Sequence, residues 1–268
     1  MSAVSRDNRA SLRRNVEANV GSATLDVAQE ILAVSALLES EKALRSALAD
    51  AGQPLAAREA LLTEVLGARV TAATASLLKS AIGCRWSDPN EFVDAVEELG
   101  MIVAFSSADS DGSLDRIEEE LFRFGRAVEV NPSLQMTLTD PALSAVGKAA
   151  VVRDLVSTHA AAVTTIVLAH VASHLRGRRV DAAVSALSTL AAAQRNRIVA
   201  QVRVAIDLDP AQRDRMTRAL ARLTGREVRL NIAVDPTVLG GAIVRIGDDV
   251  IDGTMLTRLN QARRTLVG

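Results

Sequence analysis

Few stretches of this sequence bring acids, bases, nucleophiles or metal ligands together. All three histidines, His159, His170 and His174, fall in one segment. His170 and His174 are four residues apart, so on a helix both imidazoles share one face, as in a two-histidine metal site. A zinc-protease pattern also needs Glu directly after the first His, as general base. Val171 stands there, and no carboxylate is near in sequence. The pair therefore reads as structural, with a transition-metal site as the minor alternative. The run Asp109-Ser110-Asp111-Gly112-Ser113-Leu114-Asp115, with Glu120 further on, imitates a calcium loop. An EF-hand requires Gly at its sixth position; Leu114 is there, so the run reads as a polar loop capping the next helix. Cys84 is alone, which excludes an internal disulfide and agrees with a reducing compartment. Arg85 beside it could lower its pKa, but a lone Cys reads as a small core residue. No phosphate-binding or dinucleotide fingerprint occurs, and no nucleophile elbow. The expectation is a protein with no catalytic residue, no cofactor and no metal.

The elements that would carry any site are mostly helical. The 268 residues are 49% hydrophobic and 24% charged, the balance of a soluble globular protein with one large domain or two to three small ones. Aromatics make up only 2%, with no Tyr. That is too few π faces for stacking bases, and it leaves Ala, Leu and Val to build closely packed helices. A net charge of −1 argues against the whole chain binding a polyanion. The first residues are polar, with Arg6, Arg9, Arg13 and Arg14, and show no signal-peptide core. Leu155 to Leu175 lacks Asp, Glu, Lys and Arg and is long enough to span a bilayer. Its serines, threonines and histidines favour a helix buried in a bundle, so no direct membrane span is expected.

Helical spacing begins at Thr24 to Leu38 and continues around Lys42 to Ala49. Leu55, Leu62 and Leu66 mark the next helix, with Gly67 as its C′ residue. Val70 to Ile82 is a further helix, stopped by Gly83. Asp88-Pro89 starts a helix expected to end near Phe105, followed by a polar loop from Ser106 to Ser113. Leu114 to Val130, Pro132 to about Leu138, Ser144 to Val156, Ala160 to Leu175 and Val180 to Gln194 complete the helical part. Two parts of this region resemble each other at an offset of 90 residues: Glu30 and Glu120, Asp50 and Asp140, Thr74 and Thr164, Leu78 and Leu168. A duplicated helical domain explains that better than a short solenoid repeat. The expected domains are a first helical bundle over 1–105, a second over 89–194 that shares the helix at about 89–105, and a C-terminal unit over 195–268.

After Arg195 the period changes to two. Ile198, Ala200, Val202, Val204 and Ile206 alternate as one face of a half-buried strand. Asp209-Pro210-Ala211-Gln212 starts a helix, and Val228, Leu230, Ile232 and Val234 form another strand. The fold class expected is mainly α with a small α/β C-terminal domain: two tandem helical-bundle units, then strand-helix-strand-strand-helix. Charge is uneven. Asp88 to Glu120 holds eleven acids and one base, whereas Arg195 to Arg229 holds nine arginines and four acids. Such asymmetry fits two docking surfaces of opposite sign. The arginines also leave open an alternative, a nucleic-acid-binding protein.

The most constrained stretch is Val234 to Leu266. Gly240 and Gly241 read as backbone needs (a positive φ, a bulge or close strand approach), Gly247 and Gly253 as turns, and Asp248 and Asp252 as acceptors for local amides. These six residues are expected to build a scaffold. With Val234-Asp235-Pro236, Leu239, Val244, Ile251 and Leu259, the stretch resembles the C-terminal signature of the delta subunit of F-type ATP synthase. The mitochondrial form of that family is the oligomycin-sensitivity-conferring protein. Glu118 to Leu134 is similar to the family's helix and turn upstream of it. The chain departs from the pattern in Thr254, where Ser is usual, in lacking a Tyr near Val93 to Leu99, and in its long front extension. The extension resembles the longer delta subunits of high-GC Gram-positive bacteria. The resemblance implies a non-catalytic stator (peripheral-stalk) subunit on the cytoplasmic face of the cell membrane, with no nucleic acid partner. Its helical domains would bind N-terminal helices of the alpha subunits, and its C-terminal domain the C-terminal helix of the b subunit.

Overall fold

A computed structural model describes residues 3–18, 23–67, 69–156, 159–195, 198–224, 228–235, 238, 241–246 and 249–252. It divides into two compact units, Met1–Arg195 and Asn196–Gly268.

The first unit is helical. It holds α1 (Ala3–Ala18), α2 (Leu25–Ser40), α3 (Lys42–Ala49), α4 (Leu55–Leu66), α5 (Ala72–Gly83) and α6 (Pro89–Ser110). These are followed by α7 (Leu114–Val130), α8 (Pro132–Thr139), α9 (Ala145–Val156), α10 (Ala162–Ser173) and α11 (Val180–Arg195). Side-chain caps set several starts. Thr24 accepts from Val27 N, Thr71 from Thr74 N, and Asp88 from Asn90 N ahead of Pro89. Such caps contribute about 1 kcal/mol each by satisfying amides that have no partner inside the helix.

Two sequence expectations change here, and one helix is added. A helix, α1, occupies the polar N-terminal stretch and buries Leu12 and Val16. The loop expected from Ser106 is still helix; α6 runs on to Ser110, whose hydroxyl donates to Ser106 O at 2.9 Å. The loop reading failed because α6 is enclosed on most sides, with Phe92, Val96, Val103 and Phe105 all buried, and so shows no polar face where serines should sit. Gly67 has φ −56°, ordinary right-handed backbone, and is not the left-handed C′ residue expected.

Hydrogen bonds recur at the 90-residue offset. Glu30 Oε2 accepts from Thr71 N (2.8 Å) and the Thr74 hydroxyl, and Glu120 Oε2 accepts from Ala161 N (2.9 Å) and the Thr164 hydroxyl. Arg45 Nη1 donates to Leu38 O, as Gln135 Nε2 does to Val128 O. Asp50 Oδ1 accepts from Gly52 N, as Asp140 Oδ1 does from Ala142 N. Packing recurs with them. α6 lies on α2 as α11 lies on α7, and α6 meets α10 and α11 as α1 meets α5 and α6. One continuous apolar core runs through the whole unit. Gly100 on α6 lies close against α2, since a Cβ there would lie 2.8 Å from Leu32 Cδ2.

The second unit contains β1 (Ile198–Val204), α12 (Pro210–Thr224), β2 (Val228–Val234), β3 (Ala242–Ile246) and β4 (Asp249–Asp252). The sheet order is β2-β1-β3-β4. β1 and β2 are parallel, joined by the α12 crossover, with Ala200 opposite Leu230. β3 runs antiparallel to β1, pairing Val244 with Val202, and β4 antiparallel to β3. β4 is a strand beyond those expected. The expected terminal helix lies outside the described residues. At the start of α12, Asp209 Oδ1 accepts from Gln212 N (2.7 Å) and Gln212 Oε1 accepts from Asp209 N (2.9 Å), a reciprocal cap. Ala200, Val202, Val204, Leu220, Val228 and Val244 form the buried core, the alternate-residue face that the period of two implies, but β1 ends at Val204 and Ile206, expected on that face, is 80% exposed beyond it.

Candidate functional site

The two histidines of α10 meet carboxylates that are far away in sequence. The His170 and His174 rings lie 4.7 Å apart. His174 Nδ1 is 2.8 Å from Glu39 on α2, and His170 Nε2 is 3.4 Å from Glu97 on α6. Ser35 Oγ on α2 is 3.3 Å from the same His170 nitrogen. Arg176, in the turn after α10, reaches Glu97, Asp94 at 3.0 Å and Glu39 at 3.7 Å. Arg178 adds a contact of 3.0 Å to Glu97. Arg176 has φ 48° and Gly177 follows with φ 77°. A non-glycine residue in the left-handed region is costly, and it is held here by the ion pairs its side chain makes.

Electrostatics fix the charge states of this cluster. Burial would raise the Glu97 carboxyl, but the His170 hydrogen bond and the Arg176 and Arg178 charges outweigh it and hold its pKa at about 2. His170 is pushed down, chiefly by burial, against the pull of Glu97. Burial also works against ionised Glu39, and His174 with Arg176 overcomes it. The cluster is therefore a fixed set of carboxylates around an arginine cation. Among the described residues no group of three or more His, Cys, Asp or Glu could hold a metal ion. Sequence reading found the histidines and missed Glu39, Glu97 and Arg176. One signal was available: Glu97 stands among Val93, Val96 and Gly100, positions on the buried side of α6.

The remaining chemical candidates are dispersed. His159 is exposed, and its carbonyl accepts from Arg116 Nη2 at 2.8 Å. Asp111 Oδ1 accepts from Ser113 N at the start of α7. Cys84 is half-buried, its Sγ 3.4 Å from Ser80 O, and burial raises its thiol pKa. In the arginine-rich helix, Arg213 is engaged by Asp207 at 2.7 Å and by Leu208 O. No helix among the described residues is long and apolar enough to cross a membrane.

A groove of about 310 Å³ opens on the helical unit between α7, α8 and the α9–α10 corner. Phe124, Ala127, Leu134, Leu155, Val156 and Ala160 line it. Leu155 is 55% exposed, and Phe122, Val130, Met136 and Val146 on the same three helices are exposed as well. Large apolar side chains left in water at this density mark contact surfaces.

In the C-terminal unit, Gly241 has φ 81°, which only glycine adopts readily, at the entry to β3. Asp252 ends β4, in register with Ile243. Gly240, Gly247, Asp248 and Gly253 lie outside the described residues.

Comparison with known proteins assigns the chain. The sequence model of the family described as "ATP synthase delta (OSCP) subunit" matches residues 103–266. An ATP synthase subunit delta of Streptomyces avermitilis is 40% identical over 98% of this chain and 97% of its own. That of Streptomyces griseus is 38% identical over the full length of both chains. The Nocardia farcinica subunit is 42% identical over 88% of each. The chain belongs to the ATP synthase delta (OSCP) subunit family.

Proposed function

We propose that this chain is the peripheral-stalk subunit that ties the catalytic head of an F-type ATP synthase to its membrane-anchored b subunits, so that the head resists rotation. The observation that carries the reading is family membership over nearly the whole chain, at 40% identity to a delta subunit. The helical unit receives N-terminal helices of the alpha subunits, and the C-terminal unit receives the C-terminal helix of b. The protein works as a non-catalytic part on the cytoplasmic face of the membrane. Helix-in-groove recognition suits a groove lined by Phe124, Ala127, Leu134, Leu155, Val156 and Ala160. Holding torque calls for a broad contact and not one strong pair.

The helical unit is read as two copies of one bundle, 1–105 and 89–194, that share α6. The recurring hydrogen bonds of Glu30 and Glu120 support this, as does the double packing role of α6. Gly240, Gly241, Gly247, Asp248, Asp252 and Gly253 are assigned to scaffolding, supported by the positive φ of Gly241.

Pull-down of the full chain with an alpha N-terminal peptide and a b C-terminal peptide tests the reading. Capture of both is expected; capture of neither overturns it. Asp252→Ala should leave binding of the b peptide unchanged wherever the C-terminal unit remains folded. A gel shift with generic DNA or RNA should show no binding, whereas a salt-dependent shift would favour the nucleic-acid reading.

A further inference from the structure

We infer that the two histidines of α10 form an acid-released latch: at neutral pH it fastens the helix pair α9–α10 to α2 and α6, and a proton taken up by His170 lets the pair swing away. The helix pair is lightly held elsewhere. α9 packs chiefly on α10, and a cavity of about 370 Å³ separates the pair from α2, with Gln29, Ala33 and Ala36 on one wall and Ala149 and Ile166 on the other. The far end of α10 is where the fastening lies. His174 Nδ1 is 2.8 Å from Glu39, and His170 Nε2 is 3.3 Å from Ser35 Oγ and 3.4 Å from Glu97. Every acid of the latch stands on α2 or α6, and every base on α10 or in the turn after it. The left-handed backbone of Arg176 (φ 48°) is strain held by the ion pairs of the closed latch, and opening relieves it.

The groups that face His170 decide the sign of the response. They are Glu39 from α2, Asp94 and Glu97 from α6, His174 from α10 itself, Arg176 and Arg178 from the turn, and Arg153 of α9 at the cavity. The carboxylates are already engaged: Glu97 by both arginines, Asp94 by Arg176, and Glu39 by His174 and Arg176. A proton on His170 therefore enters a side chain only 8% exposed, with a second imidazole 4.7 Å away between ring centres. Burial pushes the His170 pKa below its ordinary 6.5, against the pull of Glu97 and with the help of His174 and Arg176. An imidazole that is neutral when enclosed and protonated in water gains its proton on opening. The closed latch thus keeps its full stability above pH 6.5 and loses it as pH falls below that value. Between pH 7.5 and 5.5 one such proton raises the opening constant by about tenfold at most. The chain carries its own control. At the 90-residue offset, α4–α5 has Ser80, Cys84 and Trp86 where His170, His174 and Arg176 stand, so that pair has no imidazole.

The latch does not depend on which subunits the helical unit meets, and the full-length protein alone tests it. Hydrogen–deuterium exchange at pH 7.5 and 5.5, corrected for the intrinsic pH dependence of amide exchange, should show peptides of α9 and α10 opening about tenfold more at pH 5.5, with those of α4 and α5 unchanged. His170→Gln keeps a polar group toward Glu97 and Ser35 and takes up no proton, so its α9–α10 peptides should open equally at both pH values while Trp86 fluorescence reports an intact fold. Loosening of α9–α10 no greater than that of α4–α5, or an equal pH response in His170→Gln, would overturn the latch. Should that variant fail to fold, an NMR titration of the three imidazoles in the unaltered protein decides. One imidazole titrating below pH 6.5, over the interval in which α9–α10 loosens, is the expected result; none doing so would overturn the latch.

Discussion

Replacing Glu97 with Gln tests the central electrostatic claim. The change keeps the shape of the side chain and removes its charge. Glu97 contacts Arg176, Arg178 and His170 and is 5% exposed. Its carboxyl falls from 4.5 to about 2. At about 1.4 kcal/mol per pH unit, that corresponds to about 3 kcal/mol of stability. The folded pKa lies below the unfolded one, so this contribution is complete above about pH 5.5 and is lost as pH falls toward 2. By pH 3, about 2 kcal/mol of it should be gone. Glu97→Gln should therefore cost about 3 kcal/mol at pH 6.5, the low end for breaking a buried pair, because Arg176 retains Asp94 and Glu39. At pH 3 the cost should shrink to about 1 kcal/mol. Trp86 provides the readout. It is the sole tryptophan, 9% exposed, and its indole donates to Ala81 O at 2.9 Å. Urea unfolding followed by its fluorescence reports the helical unit alone. A cost that stays the same from pH 6.5 to pH 3 would refute the assignment of Glu97 as a buried carboxylate held ionised by its partners.

Three further outcomes follow from the same structure. Gly100→Val should lose about 3 kcal/mol in the same assay, since even a Cβ meets Leu32 Cγ at 2.9 Å and Leu32 is buried; Gly100→Ala should lose less, because the gain in helix propensity, about 1 kcal/mol, offsets part of the crowding. Glu30→Gln and Glu120→Gln should each cost about 1–2 kcal/mol, and by similar amounts, because each carboxylate holds a threonine hydroxyl and a backbone amide at the start of a helix; a large effect at one site and none at the other, by urea unfolding, would count against equivalence of the bundles. Cys84 should react with iodoacetamide at pH 8 more slowly than free cysteine, since burial raises its thiol pKa; faster labelling would contradict the half-buried position.

Much of the fold could be read because its signals are local. The cap at Asp88 before Pro89, the reciprocal pair Asp209 and Gln212, and the alternation of Ala200, Val202 and Val204 each act within a few residues. What escaped depends on partners that sequence distance hides. α1 is polar along most of its length and declares itself only through Leu12 and Val16, which meet a core built by α5 and α6. The histidines were visible, but Glu39 lies 135 residues before His174, and only folding brings them together. The groove could not be read at all. Ala127 and Leu155 are distant in sequence and line one groove only once α7 and α9 have packed.

On the proposed reading of two bundles, the helix they share explains why they can differ. On that reading α6 serves both bundles; it packs on α2, α10 and α11, and its buried face leaves little freedom to change. Phe92, Val96, Val103 and Phe105 are at most 1% exposed. Variation is pushed to helices that face water in one bundle and have a counterpart in the other. Leu32, buried beside Gly100, corresponds to Phe122, which is 62% exposed. Ser40 corresponds to Val130 and Ser46 to Met136, polar in the first bundle and exposed apolar in the second. The same side-chain hydrogen bonds recur at the 90-residue offset, and these substitutions take no part in them. Exposed apolar residues lower solubility without improving the core. Their concentration on one bundle is accounted for if that bundle meets a partner and the other mainly supports it.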